Sequence, residues 1–369
     1  GRPNVDMSMN MAPEPDAPEL LEMMKSSYAS VGDKMRDLLR YQNFGGSNDD
    51  REAGALWLRR RGLVVEHERL LVVPGAQCAL LAVLTMLAPA GSVICCEELT
   101  YPGLRALAGL LGIKLVGLPM DAEGIDAVAF AGACAQYGPK ALYCNPTLLN
   151  PTTGTISPAR RQALVDVALH YGVPIIEDDA YGFLPRNGPP AMASIGADIT
   201  FYIAGLAKCV GAGLRIAYMV APDQHLASRL ASALRATSVM ASPVTSTLAT
   251  RWIRDGTADL MLNAIRKESA ARQKLAARIL PAGSYLSKPE AFHLWINLPP
   301  EWEQKAFAAH LAESGVGVVP SDAFCVSGVA PAAVRVCIGG PSSRDDIQHG
   351  LELIAQAWRR VPTSAPAVV

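Results

Sequence analysis

The chain has no excess of either charge and few aromatic residues. Its 369 residues carry 33 Lys and Arg against 34 Asp and Glu, a formal net charge of −1 at pH 7, and only 6% are Phe, Trp or Tyr. A near-neutral chain does not attract phosphates through its overall charge, so this chain alone is not expected to bind nucleic acid or an anionic membrane. Its most apolar window, 78–89, is too short to span a bilayer, and no signal peptide is visible.

The eight cysteines lack the spacing of a metal site. None of them forms a CxxC pair, and most lie inside apolar runs, where cysteine behaves as a small apolar residue. We therefore expect no metal and a reducing, cytoplasmic location. The chain begins with Gly1 rather than methionine, and we expect it to be a piece of a longer protein.

Short apolar runs are abundant in the first two thirds of the chain. Segments of helical periodicity, among them 76–87, 103–111 and 159–171, separate several of these runs. Such alternation predicts a mostly parallel sheet with helices on both faces. The seven runs that we predict to be strands are 69–73, 92–96, 114–118, 141–144, 174–178, 200–205 and 215–220.

The pattern changes after Pro243. Residues 245–280 read as one long amphipathic helix, and a final helix is expected at 343–359. Isolated strands are predicted between them, at 292–298, 315–320 and 333–339. The fold class is thus α/β, with a seven-stranded, mostly parallel sheet in a large domain and a smaller α+β domain. The expected boundaries are an N-terminal segment 1–40 joining the small domain, a large domain 41–244, a small domain 245–361 and a disordered tail 362–369.

Lys208 is out of place in the apolar stretch FYIAGLAKCVGAGLRIAYMVAP, which begins at Phe201. Lysine is almost never fully buried unless it is paired or neutralised. One interpretation is a lysine at a strand end whose amine reaches water. The other is an amine kept uncharged so that it can form a Schiff base with a carbonyl compound.

Three further polar features follow predicted strands. Gly75 precedes a predicted helix, whose free N–H groups suit an anion, although many α/β turns look alike. Asn150 follows the fourth strand and could be a plain turn residue. Asp178 ends an apolar strand, where a carboxylate is costly unless a cation meets it, and Tyr181 follows three residues later. Asp178 and Tyr181 are expected near the carboxyl edge of the sheet, where α/β proteins bind ligands.

Together, in chain order, these residues resemble the fold type I family of pyridoxal 5′-phosphate (PLP) enzymes, the aspartate aminotransferase superfamily. The resemblance implies that Lys208 carries PLP as a Schiff base and that Asp178 keeps the pyridine nitrogen protonated. It implies that Asn150 and Tyr181 bind the phenolic oxygen and that Arg335 clamps the carboxylate of a substrate or effector. The remaining cofactor-binding residues implied are Tyr101, stacked on the ring, and, at the phosphate, Gly75, Ala76, Gln77, Arg215 and Tyr41 of a second subunit.

Two positions depart from that family. Serines usually stand one and three residues before the lysine, and the earlier one binds the phosphate, whereas this chain has Ala207 and Gly205. One charge-assisted hydrogen bond, typically about 1.5–3 kcal/mol, is therefore missing. We expect PLP to bind through the helix amides and Arg215, but less tightly.

Longer stretches are similar to the C-terminal, effector-binding domain of MocR-type regulators of the GntR superfamily. They include YQNFGGSNDDREAGALWLRRRG, LTYPGLRALAGLLG, NPTLLNPTTGTISPARRQALVDVA and IIEDDAYGFL. The similarity implies a homodimer that binds an amino-acid-like effector through PLP with little turnover. The similarity also implies that DNA is bound only through a winged helix-turn-helix domain, which we do not find in this chain.

The alternative is a free-standing aminotransferase of the 2-aminoadipate or kynurenine type, which has the same PLP residues. A third interpretation is a degenerate PLP fold kept only for dimerisation. The complete set of cofactor residues argues against it.

Overall fold

The computed structural model describes residues 4–360. Its strands are Val5–Asp6 (β1), Leu70–Val73 (β2), Val93–Glu97 (β3), Lys114–Leu118 (β4), Met120–Asp121 (β5), Gly124–Ile125 (β6), Ala141–Cys144 (β7), Ile175–Asp178 (β8), Thr200–Gly205 (β9), Ala217–Val220 (β10), Tyr285–Leu286 (β11), His293–Asn297 (β12), Val316–Gly317 (β13), Val319–Pro320 (β14) and Ala333–Cys337 (β15). Its α-helices are Pro18–Gly32 (α1), Met35–Leu38 (α2), Asn48–Leu58 (α3), Ala76–Leu87 (α4), Pro102–Leu111 (α5), Ala127–Tyr137 (α6), Pro158–Tyr171 (α7), Gln224–Thr237 (α8), Pro243–Asp255 (α9), Thr257–Ile279 (α10), Gln304–Glu313 (α11) and Arg344–Arg359 (α12).

The largest sheet has seven strands in the order β2-β10-β9-β8-β7-β3-β4. Strand β10 is antiparallel to both of its neighbours, and the other four pairings are parallel. The predicted seven-stranded, mostly parallel sheet is confirmed. Because every strand except β10 runs the same way, the turns after β2, β3, β7, β8 and β9 meet at one edge of the sheet.

Both faces of this sheet are covered. In β2, Leu70 and Val72 point into one apolar core, and Leu71 and Val73 point into another. All four side chains are buried, which explains why the strand reads as a continuous apolar run rather than an alternating one. The helices that follow the strands supply the apolar faces that pack there.

A smaller antiparallel sheet, in the order β11-β12-β15-β14, carries Arg335. The N-terminal segment reaches this part of the chain, since β1 pairs in parallel with β13 and α1 packs against α9 and α10. The domain boundaries stay a prediction, and the predicted disordered tail lies outside the described residues. None of the helices within residues 4–360 is long and apolar enough to cross a membrane.

The single helix predicted at 245–280 is wrong, because α9 and α10 are separate helices. Gly256 lies between them with φ 87°, a left-handed conformation that ends a helix and that glycine adopts without steric cost. The Thr257 amide donates to Asp255 Oδ1 at 2.9 Å, which starts the new helix. Lys208 lies in a single π-helical turn, Ala207–Gly211, shortly after the end of β9.

Candidate functional site

A cavity of about 430 Å³ opens at the carboxyl edge of the central sheet. The residues predicted from the sequence to form the site are far apart along the chain, yet all except Tyr41 line this one cavity. They are Gly75, Ala76, Gln77, Tyr101, Asn150, Asp178, Tyr181, Lys208, Arg215 and Arg335. Their individual roles stay predictions.

Lys208 brings an amine to the cavity from the turn after β9. The pKa of this amine is lowered from 10.5 to about 8, mainly by burial; Cys337 and Asp178 act to raise it, and the nearby Arg335 guanidinium acts to lower it. Its Nζ donates to the backbone carbonyl of Asn10. A lysine with a lowered pKa is a nucleophilic amine at mildly alkaline pH, which is the chemistry needed to attack a carbonyl group.

Asp178 is the last residue of β8, and burial raises the pKa of its carboxyl to about 6. Its Oδ2 accepts a hydrogen bond from the Tyr143 hydroxyl at 2.7 Å. Its Oδ1 is buried and has no partner within residues 4–360. A buried carboxylate oxygen without a donor is costly, so this atom indicates a missing N–H or cationic group in the cavity.

The opposite end of the cavity is built for an anion. Helix α4 begins at Ala76, so its first backbone N–H groups are free to donate to a ligand. Arg215 lies against the preceding turn, where a Cβ added to Gly75 would come within 2.5 Å of its Nη2. Gly75 also has φ 95°, a conformation that favours glycine. Above these groups, the Tyr101 hydroxyl donates to Gln77 Oε1 at 3.1 Å.

Asn150 is held in a short polar network. Its backbone N–H donates to Asn145 Oδ1 at 3.0 Å, and Asn145 Nδ2 donates to the Asp178 carbonyl at 2.8 Å. Its side-chain oxygen accepts from Arg335 Nη1 at 2.8 Å. The predicted cofactor residue and the predicted carboxylate clamp are therefore in direct contact.

Residues 8–11, here called the strap, form part of the cavity wall through Met9, Asn10 and Met11. The chain before the strap is fixed to the smaller sheet, because the Cys337 N–H of β15 donates to the Met7 carbonyl at 2.8 Å. The strap's far end is fixed as well, since the Gly340 N–H donates to the Met11 carbonyl at 3.1 Å.

The strap forms hydrogen bonds with three of the predicted site residues. The Lys208 amine donates to the Asn10 carbonyl, and Arg335 Nη2 donates to the Ser8 carbonyl. Asn10 Nδ2 donates to the Tyr181 hydroxyl at 2.7 Å. A ligand that binds Lys208 and Arg335 would therefore compete with strap carbonyls for the N–H groups of both side chains.

Sequence reasoning missed the strap and three other polar residues. Asn145 and Tyr143 lie at the end of β7, so the same rule that selected Asn150 could have found them. His293 and Asn10 gave no such signal. His293 is fully buried, its Nε2 lies 3.0 Å from the Leu149 carbonyl, and burial lowers the pKa of its ring to about 3.

Tyr41 is not at the cavity of its own chain. Its surface is 80% exposed, an unusual state for an aromatic residue. This position neither supports nor contradicts a role in the cavity of a second subunit, which stays a prediction.

The family model for aminotransferase class I and II matches residues 5–354. The chain belongs to this family. The cofactor of these aminotransferases is PLP, and the cavity fits it on this chain's own evidence. The free amides of α4 and Arg215 suit the phosphate, and the unpartnered Oδ1 of Asp178 suits a protonated ring nitrogen. When bound, PLP supplies an aldehyde for the Lys208 amine and an electron-withdrawing ring.

Curated relatives of this aminotransferase-family chain include both regulators and enzymes. Two are the Bacillus subtilis HTH-type transcriptional regulators YdeF and YisV, of the MocR type. YdeF is 28% identical over 315 residues, 85% of this chain and 68% of YdeF, and YisV is 26% identical over 367 residues, 97% of this chain and 73% of YisV. The 2-aminoadipate transaminase of Thermus thermophilus is 23% identical over 356 residues, 93% of this chain and 88% of that enzyme.

Solved structures establish the same fold. An archaeal alanine:glyoxylate aminotransferase superposes with a TM-score of 0.88 at 24% identity, covering 97% of this chain and 91% of that one. LysN, the α-aminoadipate aminotransferase of Thermus thermophilus complexed with N-(5′-phosphopyridoxyl)-L-leucine, has a TM-score of 0.86 at 23% identity, covering 96% and 92%. At these identities the match concerns the fold.

Proposed function

We propose that this chain is the PLP-binding, effector-sensing domain of a MocR/GntR-type transcriptional regulator. It binds an amino-acid-like ligand through the cofactor with little turnover. The observation that carries the proposal is the single cavity in which a buried amine, an unpartnered carboxylate oxygen and a buried guanidinium face each other, on Lys208, Asp178 and Arg335.

Each end of such a ligand has a matching group in this chain. The guanidinium of Arg335 is planar and offers parallel N–H groups, so it suits a carboxylate better than an ammonium would. Its Nε is buried and has no partner within residues 4–360, which leaves it one donor to offer. Lys208 is the group that the ligand's amine would replace on the cofactor. The side chain of the ligand is not assigned by these contacts.

Two features favour a sensor over an enzyme. Gly205 and Ala207 line the cavity where aminotransferases of this family usually carry serines, so the phosphate has one hydrogen bond fewer. The strap occupies Lys208 and Arg335, so ligand binding has to move it. In the MocR arrangement the DNA-binding domain precedes the aminotransferase-like domain, and movement of the strap is therefore a route by which ligand binding is signalled.

The second candidate is a free-standing aminotransferase acting on an amino acid and a 2-oxo acid. The intact set of Asn150, Tyr181 and Lys208 favours it, because turnover needs the amine to move a proton at the ligand's Cα. The similarity to the 2-aminoadipate transaminase is consistent with it. For both candidates we propose a cytoplasmic homodimer in which Tyr41 reaches the phosphate of the cofactor bound to the partner subunit.

The test that separates them is a half-reaction assay on the PLP-loaded protein. A panel of amino acids and derivatives is added, and pyridoxamine phosphate and 2-oxo acid are measured together with the visible spectrum. We expect one ligand class to change the spectrum for minutes with little 2-oxo acid released. Turnover of about 1 per second or more, within the ordinary enzyme range, would establish the aminotransferase instead. In the full-length protein, the same ligand should change binding to its promoter DNA.

Attachment of the cofactor is tested independently. Borohydride reduction should fix the pyridoxyl group on Lys208, identified by peptide mass spectrometry. The Lys208→Ala variant should lose the visible band, whereas Lys140→Ala, which removes an exposed lysine, should keep it. A label on any other lysine would contradict the site.

A further inference from the structure

The Tyr181 hydroxyl accepts one hydrogen bond and is free to donate another. The residue is only 4% exposed, and burial raises the pKa of its phenol well above the ordinary value, so the hydroxyl stays protonated. It accepts a hydrogen bond from Asn10 Nδ2 at 2.7 Å. Within residues 4–360, the structure gives the hydroxyl no acceptor for its own hydrogen, which is therefore available to the cavity that Tyr181 lines.

The orientation of the Asn10 amide follows from its surroundings. Asn10 is 8% exposed, and its Oδ1 is buried without a partner within residues 4–360. Rotating the amide by half a turn would let Oδ1 accept from the Tyr181 hydroxyl and leave both N–H groups of Nδ2 unpartnered, whereas the observed orientation leaves one N–H group and Oδ1 unpartnered. Unpaired buried donors are rarer and costlier than an under-satisfied carbonyl, so the amide donates to Tyr181.

The backbone of Asn10 holds this amide in place. The Cys337 N–H, in the smaller sheet, donates to the Met7 carbonyl at 2.8 Å, and the Gly340 N–H donates to the Met11 carbonyl at 3.1 Å, so the chain is anchored on both sides of Asn10. The main chain at Asn10 is therefore held in position, and the side-chain amide is held with it. Asn10 is also not in the set of residues that the family resemblance assigned to the site.

We propose that Asn10 is a positioning residue, which acts as an obligatory donor to Tyr181 and so directs the Tyr181 hydrogen toward the phenolic oxygen of the bound cofactor. The inference rests on the proposed cofactor site. A hydroxyl that receives a hydrogen bond on its oxygen donates more strongly through its hydrogen. Asn10 therefore stabilises negative charge on the phenolic oxygen without touching the cofactor.

The Asn10→Asp substitution reverses the direction of this hydrogen bond. The introduced carboxylate has nearly the same shape as the amide but can only accept, so the Tyr181 hydrogen turns away from the cavity toward it. The phenolic oxygen then loses its donor, and the lysine-linked cofactor becomes easier to protonate. We expect the midpoint of the pH titration of its visible absorption band to rise by about one pH unit or more.

A double-mutant cycle separates this effect from simple charge. The introduced carboxylate also raises the midpoint by attracting the cationic form, and this contribution remains when Tyr181→Phe removes the hydroxyl. Other ionisable groups are common to all variants; those that face Tyr181 are Asp178, Lys208, Arg335, Cys337, His293 and Tyr101. The midpoint shift caused by Asn10→Asp should be at least about half a pH unit smaller in the Tyr181→Phe background.

Two further variants complete the test. Asn10→Ala removes the donor without adding charge, and it should give a shift of the same sign but smaller than Asn10→Asp. Asn187→Asp makes the same change at an exposed residue outside the cavity and should leave the midpoint unchanged. Equal shifts for Asn10→Asp with and without Tyr181 would overturn the proposal, as would no shift in either. A protein that takes up no PLP on Lys208 would instead refute the proposed function, so the two failures are distinguishable.

Discussion

Arg335 donates a hydrogen bond from Nη1 to the side-chain oxygen of Asn150, 2.8 Å away, and so joins β15 to the loop that follows β7. Both residues are at most 7% exposed. The family resemblance gives Asn150 to the cofactor and Arg335 to the ligand carboxylate. With these predicted roles, we expect a carboxylate bound at Arg335 to change the hydrogen bonding of Asn150. Ligand occupancy would then affect the electronic state of the cofactor through this one bond.

Arg335 should be needed for the ligand but not for the cofactor. Arg335→Ala removes the carboxylate's charge-assisted hydrogen bonds, and at about 1.5–3 kcal/mol for one such bond we expect ligand affinity to fall about 10- to 100-fold. Bound PLP should remain, because its phosphate is held at the start of α4. The measurement is the ligand concentration that half-converts the visible spectrum of the PLP-loaded variant.

Two companions sharpen this prediction. Arg335→Lys keeps the charge but loses the planar fork, so it should recover only part of the affinity. Arg229→Ala removes an exposed arginine elsewhere and should behave like the parent protein. Full affinity in Arg335→Ala would mean that the carboxylate is bound by another group.

The lowered pKa of Lys208 should be visible in the rate of cofactor uptake. Burial brings the pKa of this amine from 10.5 to about 8, and only the neutral amine attacks an aldehyde. Raising the pH toward 8 therefore raises the neutral fraction nearly tenfold per unit, and above about 8 the rate should level off. With an ordinary lysine, the rate of cofactor uptake would keep rising up to the much higher pKa of that amine. Stopped-flow absorbance of the apo-protein mixed with PLP checks this, and a rate still rising steeply above pH 9 would contradict it.

The arrangement of the central sheet could be predicted from the sequence because its strands are buried on both faces. Runs such as 200–205 are then continuously apolar, and the polar residues that follow them fall at one edge. The pattern places Asp178 and Tyr181 near that edge, whereas Asn150 and Lys208 are joined to them by the family resemblance. The break at Gly256 was missed because apolar periodicity continues through it, although glycine is a frequent helix terminator.

The strap could not be predicted in this way. Asn10 lies 171 residues before Tyr181 and 198 before Lys208, on a segment without helical or strand periodicity. Its position depends on β1 pairing with β13, a contact between two-residue strands that carry almost no pattern. Long-range contacts of irregular segments are set by the packing of the finished fold, so the residue that bonds Tyr181 appears only in the structure.

The buried ion pair of Arg61 and Asp179 should be a determinant of stability. Their side chains are 4% and 0% exposed, Arg61 Nε lies 2.7 Å from Asp179 Oδ2, and the Tyr202 hydroxyl donates to the same oxygen at 2.6 Å. Asp179→Ala leaves a buried guanidinium unpaired, which costs about 3–5 kcal/mol in the free energy of unfolding. Urea denaturation followed by circular dichroism measures it.

The surface pair of Arg40 and Asp37 provides the control. Its side chains are 67% and 75% exposed, so solvent screens the pair and Asp37→Ala should change stability little. Similar losses in the free energy of unfolding for the two substitutions would show that burial does not make the Arg61–Asp179 pair more important to stability than an exposed pair.

Tyr41 should act across a dimer interface. We expect the protein to sediment as a dimer and Tyr41→Phe to weaken PLP retention, because the phosphate loses one hydroxyl donor. Mixed dimers of a Tyr41→Phe chain and a Lys208→Ala chain decide between subunits. If Tyr41 serves the partner's site, the one site that still has Lys208 receives an intact Tyr41 and should retain PLP as the parent does. If Tyr41 serves the site of its own chain, the site that still has Lys208 lacks the tyrosine hydroxyl and should retain PLP less well. A PLP-loaded monomer would exclude a role for Tyr41 across a dimer interface.

Gly205 should be a position where cofactor affinity can be increased. It ends β9 beside the start of α4, and a Cβ added there would lie 3.5 Å from the Ala76 Cβ, an ordinary van der Waals contact. Its φ lies outside the positive range in which side chains are strained. Nothing in the packing therefore requires glycine, and the space that a serine would fill lines the cavity near the free amides of α4.

A serine at this position should restore the missing hydrogen bond to the phosphate. At about 1.5–3 kcal/mol for a bond to a charged group, Gly205→Ser should tighten PLP binding about 10- to 100-fold in equilibrium dialysis. Gly205→Ala adds the same Cβ without the hydroxyl and should leave affinity near that of the parent. Equal gains in both variants would assign the effect to reduced freedom of the unfolded chain or to packing, since glycine replacement alone can stabilise a protein. No gain in either would mean that the amides of α4 and Arg215 already hold the phosphate fully, and the lost serine would then be no obstacle to an enzymatic cycle.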